Sequence, residues 1–163
     1  MEPSQSQSLP LLLLLYLAVT CASAAAAEGG ESRLRYDSCY GCICEAASRC
    51  NRSLGCDDGA CGLFRITRHY WLDAGAPTLP ADARLLNDAF ERCATDPFCA
   101  LRTAHHYMER YRKDCNGNQQ VDCHDLALLH FLGPSCEGTM PSAYTDEFDN
   151  CRFNALLLGA GDV

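Results

Sequence analysis

The fold of this protein is decided by a cysteine-rich stretch, CYGCICEAASRCNRSLGCDDGACG, at residues 39–62. This stretch holds six of the 13 cysteines of the 163-residue chain: Cys39, Cys42, Cys44, Cys50, Cys56 and Cys61. The others are spread out, at Cys93, Cys99, Cys115, Cys123, Cys136 and Cys151, and Cys21 lies in an apolar leader. Without Cys21 the count is even and permits six disulfides. Thiols at this density persist as disulfides only in an oxidising compartment, which argues against a cytosolic protein.

The first 27 residues have the pattern of a secretory signal peptide. An apolar run at 9–19 is followed by small residues at 22–27, which a signal peptidase accepts. The run is shorter than the roughly 20 residues that span a bilayer. We therefore expect a secreted, extracellular protein with a signal peptide at 1–27, a loose N-terminal arm at 28–38 and one domain at 39–158.

The charge balance excludes several classes of partner. The chain has 13 basic and 21 acidic residues, a formal net charge of −8, and Lys113 is its only lysine. No basic run could neutralise a row of phosphates. We therefore expect no nucleic acid and no membrane as a partner, and a monomeric protein.

Helical periodicity dominates the rest of the chain. Asp96 and Pro97 predict an N-cap and a first-turn proline. Apolar residues follow at three- and four-residue steps, at Phe98, Leu101, Ala104, Met108 and Tyr111. Shorter helices are predicted at 84–93, 122–131 and 143–158, and residues 63–67 predict a short strand or a helical turn. The fold class is therefore a mainly α, small, disulfide-rich single domain with little or no β-sheet.

Several motifs stand in a characteristic order along the chain. They are Cys39-x-x-Cys42-x-Cys44, Cys61-Gly62-Leu63-Phe64-Arg65-Ile66, Tyr70-Trp71-Leu72-Asp73 and Gly133-Pro134-Ser135-Cys136. Together they resemble the invertebrate-type (i-type) lysozymes of the destabilase family, most closely the insect branch, over residues 39–151. The resemblance implies an α+β lysozyme-like fold. It also implies an antibacterial or digestive glycosidase that hydrolyses β-1,4 bonds between N-acetylmuramic acid and N-acetylglucosamine in peptidoglycan.

The resemblance also implies a disulfide pairing. The pairs are Cys39–Cys123, Cys42–Cys151, Cys44–Cys50, Cys56–Cys61, Cys93–Cys99 and Cys115–Cys136. Ala74 and Thr103 occupy the two positions of a seventh bond that is usual in the family, so both of its partners are absent together.

The chemistry of such a glycosidase needs two carboxyl groups, one protonated to deliver a proton to the leaving group and one ionised. The resemblance places the general acid at Ala47, whose methyl group has no proton to give. The nearest substitute, Glu45, is two residues away, about 200° around a helix. The resemblance places the second carboxylate on the loop between the cysteines at 56 and 61, which is shortened here and offers Asp58 first and Asp57 next. Glu45 and Asp58 are thus the candidate catalytic residues, and we expect the activity to be weak or lost.

Aromatic residues offer a substrate-binding surface. The ring faces of Tyr70 and Trp71 could line a sugar cleft, or the two rings could belong to the core. His130 matches a histidine to which some family members owe an isopeptidase activity, but the short loop lacks the serine that would work with it. The candidate substrate-binding residues are thus Tyr70, Trp71 and His130, and the expected ligand is a peptidoglycan or chitin-like oligosaccharide. The alternative function is a non-catalytic, secreted glycan-binding or immune-interaction protein on the same scaffold.

A loop at residues 114–125 has the layout of an EF-hand calcium loop. Oxygen-bearing side chains stand at its positions 1, 3, 5, 9 and 12, in Asp114, Asn116, Asn118, Asp122 and Asp125. Gln119 replaces the glycine of the sharp turn, and a polar turn pinned by disulfides is the alternative. No cofactor other than calcium is expected.

The triplet Asn51-Arg52-Ser53 is an N-glycosylation motif. In a secreted chain it predicts a surface loop that carries a glycan on Asn51.

Overall fold

The computed structural model describes residues 38–80 and 88–158. Helix α1 at 38–48 is followed by strands β1 (Cys56–Asp57), β2 (Ala60–Cys61) and β3 (Ile66–Thr67). Helices α2 (Arg68–Asp73), α3 (Ala89–Thr95), α4 (Pro97–Tyr111), α5 (Cys123–Leu132) and α6 (Ser142–Leu157) complete the order. The expected signal peptide, the arm up to residue 37 and the start of the helix predicted at 84–93 lie outside the described residues.

Helices α4 and α5 begin where the sequence predicts. The Asp96 carboxylate accepts the backbone N–H groups of Phe98 and Cys99 at 3.1 and 2.8 Å, and Pro97 opens α4. Helix α5 begins with a reciprocal capping box between Asp122 and Asp125. Both devices satisfy N–H groups that a helix start would otherwise leave without a partner, which is why the sequence predicts these ends well.

The sheet is small, antiparallel and ordered β1-β2-β3. Cys56 pairs with Cys61 and Asp57 with Ala60, so that β1 and β2 form a tight hairpin; Cys61 also pairs with Ile66 of β3. Each strand has two residues, which agrees with the predicted scarcity of β-structure. In the described ranges, no helix is long and apolar enough to cross a membrane.

The six disulfides join the same pairs that the resemblance implies. Two of them connect distant parts of the chain, Cys39–Cys123 over 84 residues and Cys42–Cys151 over 109. These two bonds attach α1 to α5 and α6. Helix α1 is therefore covalently tied to two elements from the C-terminal half of the chain.

The apolar stripe predicted on α4 is only partly buried. Ala104 and Met108 are fully buried, but Phe98 is 83% exposed and Leu101 is 38% exposed. The Cys93–Cys99 disulfide ties the first turn of α4 to α3 through Cys99. Because Cys99 must face α3, the helix is rotated so that Phe98 and Leu101 point outward.

Gly62 sits where the β-hairpin passes close to α3. Its φ is +67°, and a Cβ at this position would overlap the backbone carbonyl of Ala94, which is itself buried. Gly62→Ala is therefore expected to lower the free energy of unfolding by about 3 kcal/mol, from left-handed strain and overpacking together. Gly55, whose carbonyl accepts the Gly62 N–H at 3.0 Å, is the matched control because a Cβ there meets nothing within 4 Å. Urea unfolding of both variants checks this, and equal losses would contradict it.

Candidate functional site

A cleft of about 570 Å³ opens where the sheet and five helices meet. Helices α1, α2, α4, α5 and α6 each contribute to its wall. The residues used below are Ala47, Tyr70, Asp73, Tyr107, His130 and Tyr144. They come from positions up to 97 residues apart, so the tertiary structure alone brings them together.

Tyr70 and His130 form a hydrogen-bonded pair in the cleft wall. His130 Nε2 lies 3.0 Å from the carbonyl oxygen of Phe64, which can only accept, so Nε2 carries the proton. His130 Nδ1 is then the acceptor, and the Tyr70 hydroxyl donates to it at 3.1 Å. The Tyr70 ring is stacked on Tyr107, with ring centroids 3.6 Å apart. Both nitrogens of His130 are therefore engaged, and the imidazole holds Tyr70 in place.

Burial keeps these side chains uncharged. It lowers the pKa of His130 to about 4, although the hydrogen bond to Phe64 acts in the opposite direction. Burial also raises the pKa of Tyr70 well above its ordinary value. Burial, with a further contribution from the nearby Asp73 carboxylate, raises the pKa of Tyr107 to about 12. At neutral pH this part of the wall is a set of neutral hydrogen-bonding groups.

His130 makes stability depend on pH. Because its pKa is about 4 in the folded protein and near 6.5 in an unfolded chain, only the unfolded state binds the proton between these values. Stability is therefore full above pH 6.5 and falls as the pH drops towards 4, by at most about 3 kcal/mol. His130→Gln is expected to flatten this slope in urea unfolding between pH 4.5 and 7.5. His69→Gln, at an exposed position of the same cleft, is expected to leave it unchanged; a flat slope in the wild type would contradict the prediction.

The family model described as Destabilase matches residues 36–151, which include every cleft residue named above. The chain belongs to the destabilase family. It is 33% identical over 118 residues to invertebrate-type lysozyme 3 of Caenorhabditis elegans, covering 69% of this chain and 84% of the relative. It is 36% identical over 116 residues to a lysozyme of Ostrea edulis, covering 67% and 74%. Membership of the insect branch stays a prediction.

Two solved structures share the fold of this destabilase-family chain. One is a chain of the crystal structure of Aeromonas hydrophila PliI in complex with Meretrix lusoria lysozyme, with a TM-score of 0.54 and 27% identity over 69% of this chain and 87% of that chain. The other is Tapes japonica lysozyme, with a TM-score of 0.51 and 24% identity over 71% and 86%. The predicted α+β lysozyme-like fold is confirmed.

In this destabilase-family cleft, Ala47 lies in the wall at the position expected of the general acid. Neither candidate carboxylate lies there. Glu45 is displaced from Ala47 by about 200° around α1, so it faces another side of the helix. Asp58 is exposed in the tight turn between β1 and β2, with a φ of 49°. The structure does not place Glu45 and Asp58 on opposite sides of the cleft.

Asp73 is a cleft residue that the sequence analysis missed. It is the one carboxylate among the residues lining the cleft. Tyr70 and Asp73 are three residues apart in α2 and so share a face, which is the signal that could have found it. The Arg110 side chain donates to the backbone carbonyl of Asp73 at 2.9 Å and fixes the end of α2.

Of the three predicted substrate-binding residues, Tyr70 and His130 lie in the cleft and Trp71 does not. Trp71 is 2% exposed, and its indole N–H donates to the carbonyl of Pro77 at 2.7 Å. Its ring packs near Phe90, with centroids 5.9 Å apart. Successive positions of α2 face different directions, so Tyr70 reaches the cleft while Trp71 fills the core.

The loop at 114–125 is closed by its own hydrogen bonds. The Asp114 carboxylate accepts the N–H groups of residues 117–119 at 2.7–3.2 Å. The fully buried Asp125 carboxylate accepts those of residues 115, 116 and 122 at 2.8–3.0 Å. The side-chain oxygens of Asn116 and Asn118 each accept a further backbone N–H.

Asp122 completes this network. Partial burial acts to raise the pKa of Asp122, but hydrogen bonds from the Asp125 backbone, the Asn118 side chain and the His124 backbone outweigh it and lower the pKa. Within the ranges that the structure describes, no three His, Cys, Asp or Glu side chains come together as metal ligands. Calcium binding stays a prediction. Here the side-chain oxygens that calcium would use as ligands accept protein N–H groups instead. Such bonding is what the alternative prediction, a polar turn pinned by disulfides, requires.

Proposed function

We propose that this protein is a secreted glycan-binding member of the destabilase family. Its cleft would hold a β-1,4-linked oligosaccharide of the peptidoglycan or chitin type, and its hydrolysis of peptidoglycan would be weak or lost. The observation that carries the proposal is the composition of the cleft wall, in which Ala47 stands at the acid position and Asp73 is the one carboxylate.

Neither His130 nor Tyr70 replaces the missing proton donor. A general acid contributes about 10²–10⁴-fold to such a reaction. His130 cannot supply it at neutral pH, because burial lowers its pKa to about 4 and its Nε2–H already donates to Phe64. The pKa of Tyr70 is raised further from neutrality by burial, and its hydroxyl donates to His130.

The cleft retains what ligand binding requires. Its volume of about 570 Å³ is in the range of small-ligand sites, and aromatic and aliphatic side chains share its wall with polar groups. The Tyr144 hydroxyl in this wall is buried and has no hydrogen-bond partner in the described part of the chain. A sugar hydroxyl or acetamido group that reached it would satisfy a group whose burial otherwise costs stability.

Secretion is supported by the six disulfides, which need an oxidising compartment. The leader at residues 1–27 has the sequence pattern that would direct the chain there.

Two measurements on the disulfide-bonded protein test the proposal. Retention on insoluble peptidoglycan and on chitin is expected, whereas clearing of a cell-wall suspension should be at least about 10²-fold slower than with the Ostrea edulis lysozyme at equal molarity. Tyr144→Phe should weaken retention about five- to tenfold if its hydroxyl bonds the sugar. Tyr111→Phe, outside the cleft, should not. Rapid clearing by the wild type, or no retention on either polymer, would refute the proposal.

A further inference from the structure

A second concavity, of about 410 Å³, lies on the outer side of α1 and α4. We name it the Phe98 groove, formed by Tyr40, Cys50, Arg52, Leu63, Phe98 and Leu101. It is mainly apolar, and Phe98 at its edge is 83% exposed. An apolar surface of this kind on a secreted protein is costly to leave in water, which raises the question of what covers it.

Asn51 lies at the edge of this groove. Its two neighbours in sequence, Cys50 and Arg52, both line the groove. Residues 51–53 are all exposed, so the whole Asn51-Arg52-Ser53 motif is open to a modifying enzyme. The Cys44–Cys50 disulfide ties the segment to the end of α1, which holds the attachment point beside the groove.

The local geometry presents the amide nitrogen of Asn51. Its Oδ1 accepts the backbone N–H of Ser53 at 3.0 Å, and its own backbone N–H is directed to Ser48. These bonds fix the side chain while leaving Nδ2 without a hydrogen-bond partner in the described part of the chain. The nitrogen that a sugar would use is therefore accessible.

We propose that Asn51 carries an N-linked glycan and that the first sugars of this glycan cover the Phe98 groove. In the transfer, Asn51 Nδ2 forms a bond to C1 of the reducing-end N-acetylglucosamine of a lipid-linked oligosaccharide pyrophosphate. The C1–O bond to the pyrophosphate breaks, the lipid pyrophosphate leaves, and Nδ2 gives up one proton. The C–H faces of the pyranose rings then pack on the exposed ring of Phe98.

The modification is tested by secreting the full chain from a eukaryotic host and treating it with a peptide-N-glycanase. Asn51 is in the single Asn-x-Ser/Thr triplet of the chain, so any glycan released must come from it. A loss of glycan mass is expected for the wild type and for Ser53→Thr, and none for Asn51→Gln or Ser53→Ala. A secreted wild-type chain without glycan would overturn the proposal.

The position of the glycan is tested by melting temperature before and after its enzymatic removal. Removal is expected to lower the melting temperature of the wild type by at least about 2 °C. Phe98→Ser should abolish this difference, while Phe153→Ser, which changes an exposed phenylalanine of α6, should preserve it. An equal difference in both variants, or none in the wild type, would show that the glycan does not cover the groove. Neither test depends on the proposed function.

Discussion

Ala47→Glu is expected to raise the rate at which the protein clears a bacterial cell-wall suspension by about 10²-fold or more. Position 47 lies in the cleft wall on α1, and Ala47 is partly buried against the hydrophobic core. Such surroundings raise the pKa of a carboxyl group, so it would remain protonated long enough to act as an acid. The substitution therefore restores the one group whose absence is the basis of the proposed function.

Ala47→Gln is the matched control, because it has the same length and no acidic proton. In the Ala47→Glu background, Asp73→Asn is expected to abolish the gain, since Asp73 is the one carboxylate already lining the cleft. Asp58→Asn, in the exposed turn, should leave the gain intact. Equal clearing by the Glu and Gln variants would show that the acid position alone does not limit the activity.

The second large effect concerns stability. Replacing Cys42 and Cys151 together by alanine is expected to lower the free energy of unfolding by about 4–5 kcal/mol, because the bond closes a long loop in the unfolded chain. The sequence separation is 109 residues, and Cys42 lies in the core. The same double replacement of Cys44 and Cys50, only six residues apart, should cost about 2 kcal/mol in the same chain-entropy model.

Urea unfolding without reductant checks both variants. The comparison uses two bonds that share helix α1 at one end, so the length of the closed loop is the main difference between them. Losses of equal size would mean that the bonds act through native packing rather than through the unfolded chain.

Much of the fold could be predicted from short-range features. The caps at Asp96 and Asp122 act on N–H groups two and three residues away, so their effect is visible in the local sequence. The cysteine spacing and the other motifs indicate the family, and the six disulfides join the pairs of cysteines that the resemblance implies. For residues 63–67 the sequence predicts either a short strand or a helical turn, because the pairing of β3 with β2 supplies most of the stability of β3.

The candidate site was predicted less completely. Ala47, Tyr70 and His130 could be found from the motifs. Asp73 could be found only from its spacing of three residues from Tyr70 on one helix face, and the sequence leaves open whether Trp71 lies in the core. The motif Tyr70-Trp71-Leu72-Asp73 gives the residue types, but which of them face a cleft depends on the rotation of α2 against α3 and α4.

The sequence by itself determined the cysteine framework, the starts of α4 and α5 and the absence of an acid at position 47, because each depends on residue identity or on contacts within one turn. Only the tertiary structure decided that Tyr70 and His130, 60 residues apart, share a hydrogen bond, that burial lowers the pKa of His130, and that Phe98 is turned outward. These properties arise from the packing of separate helices, where desolvation and the direction of each face are set by neighbours that are distant along the chain.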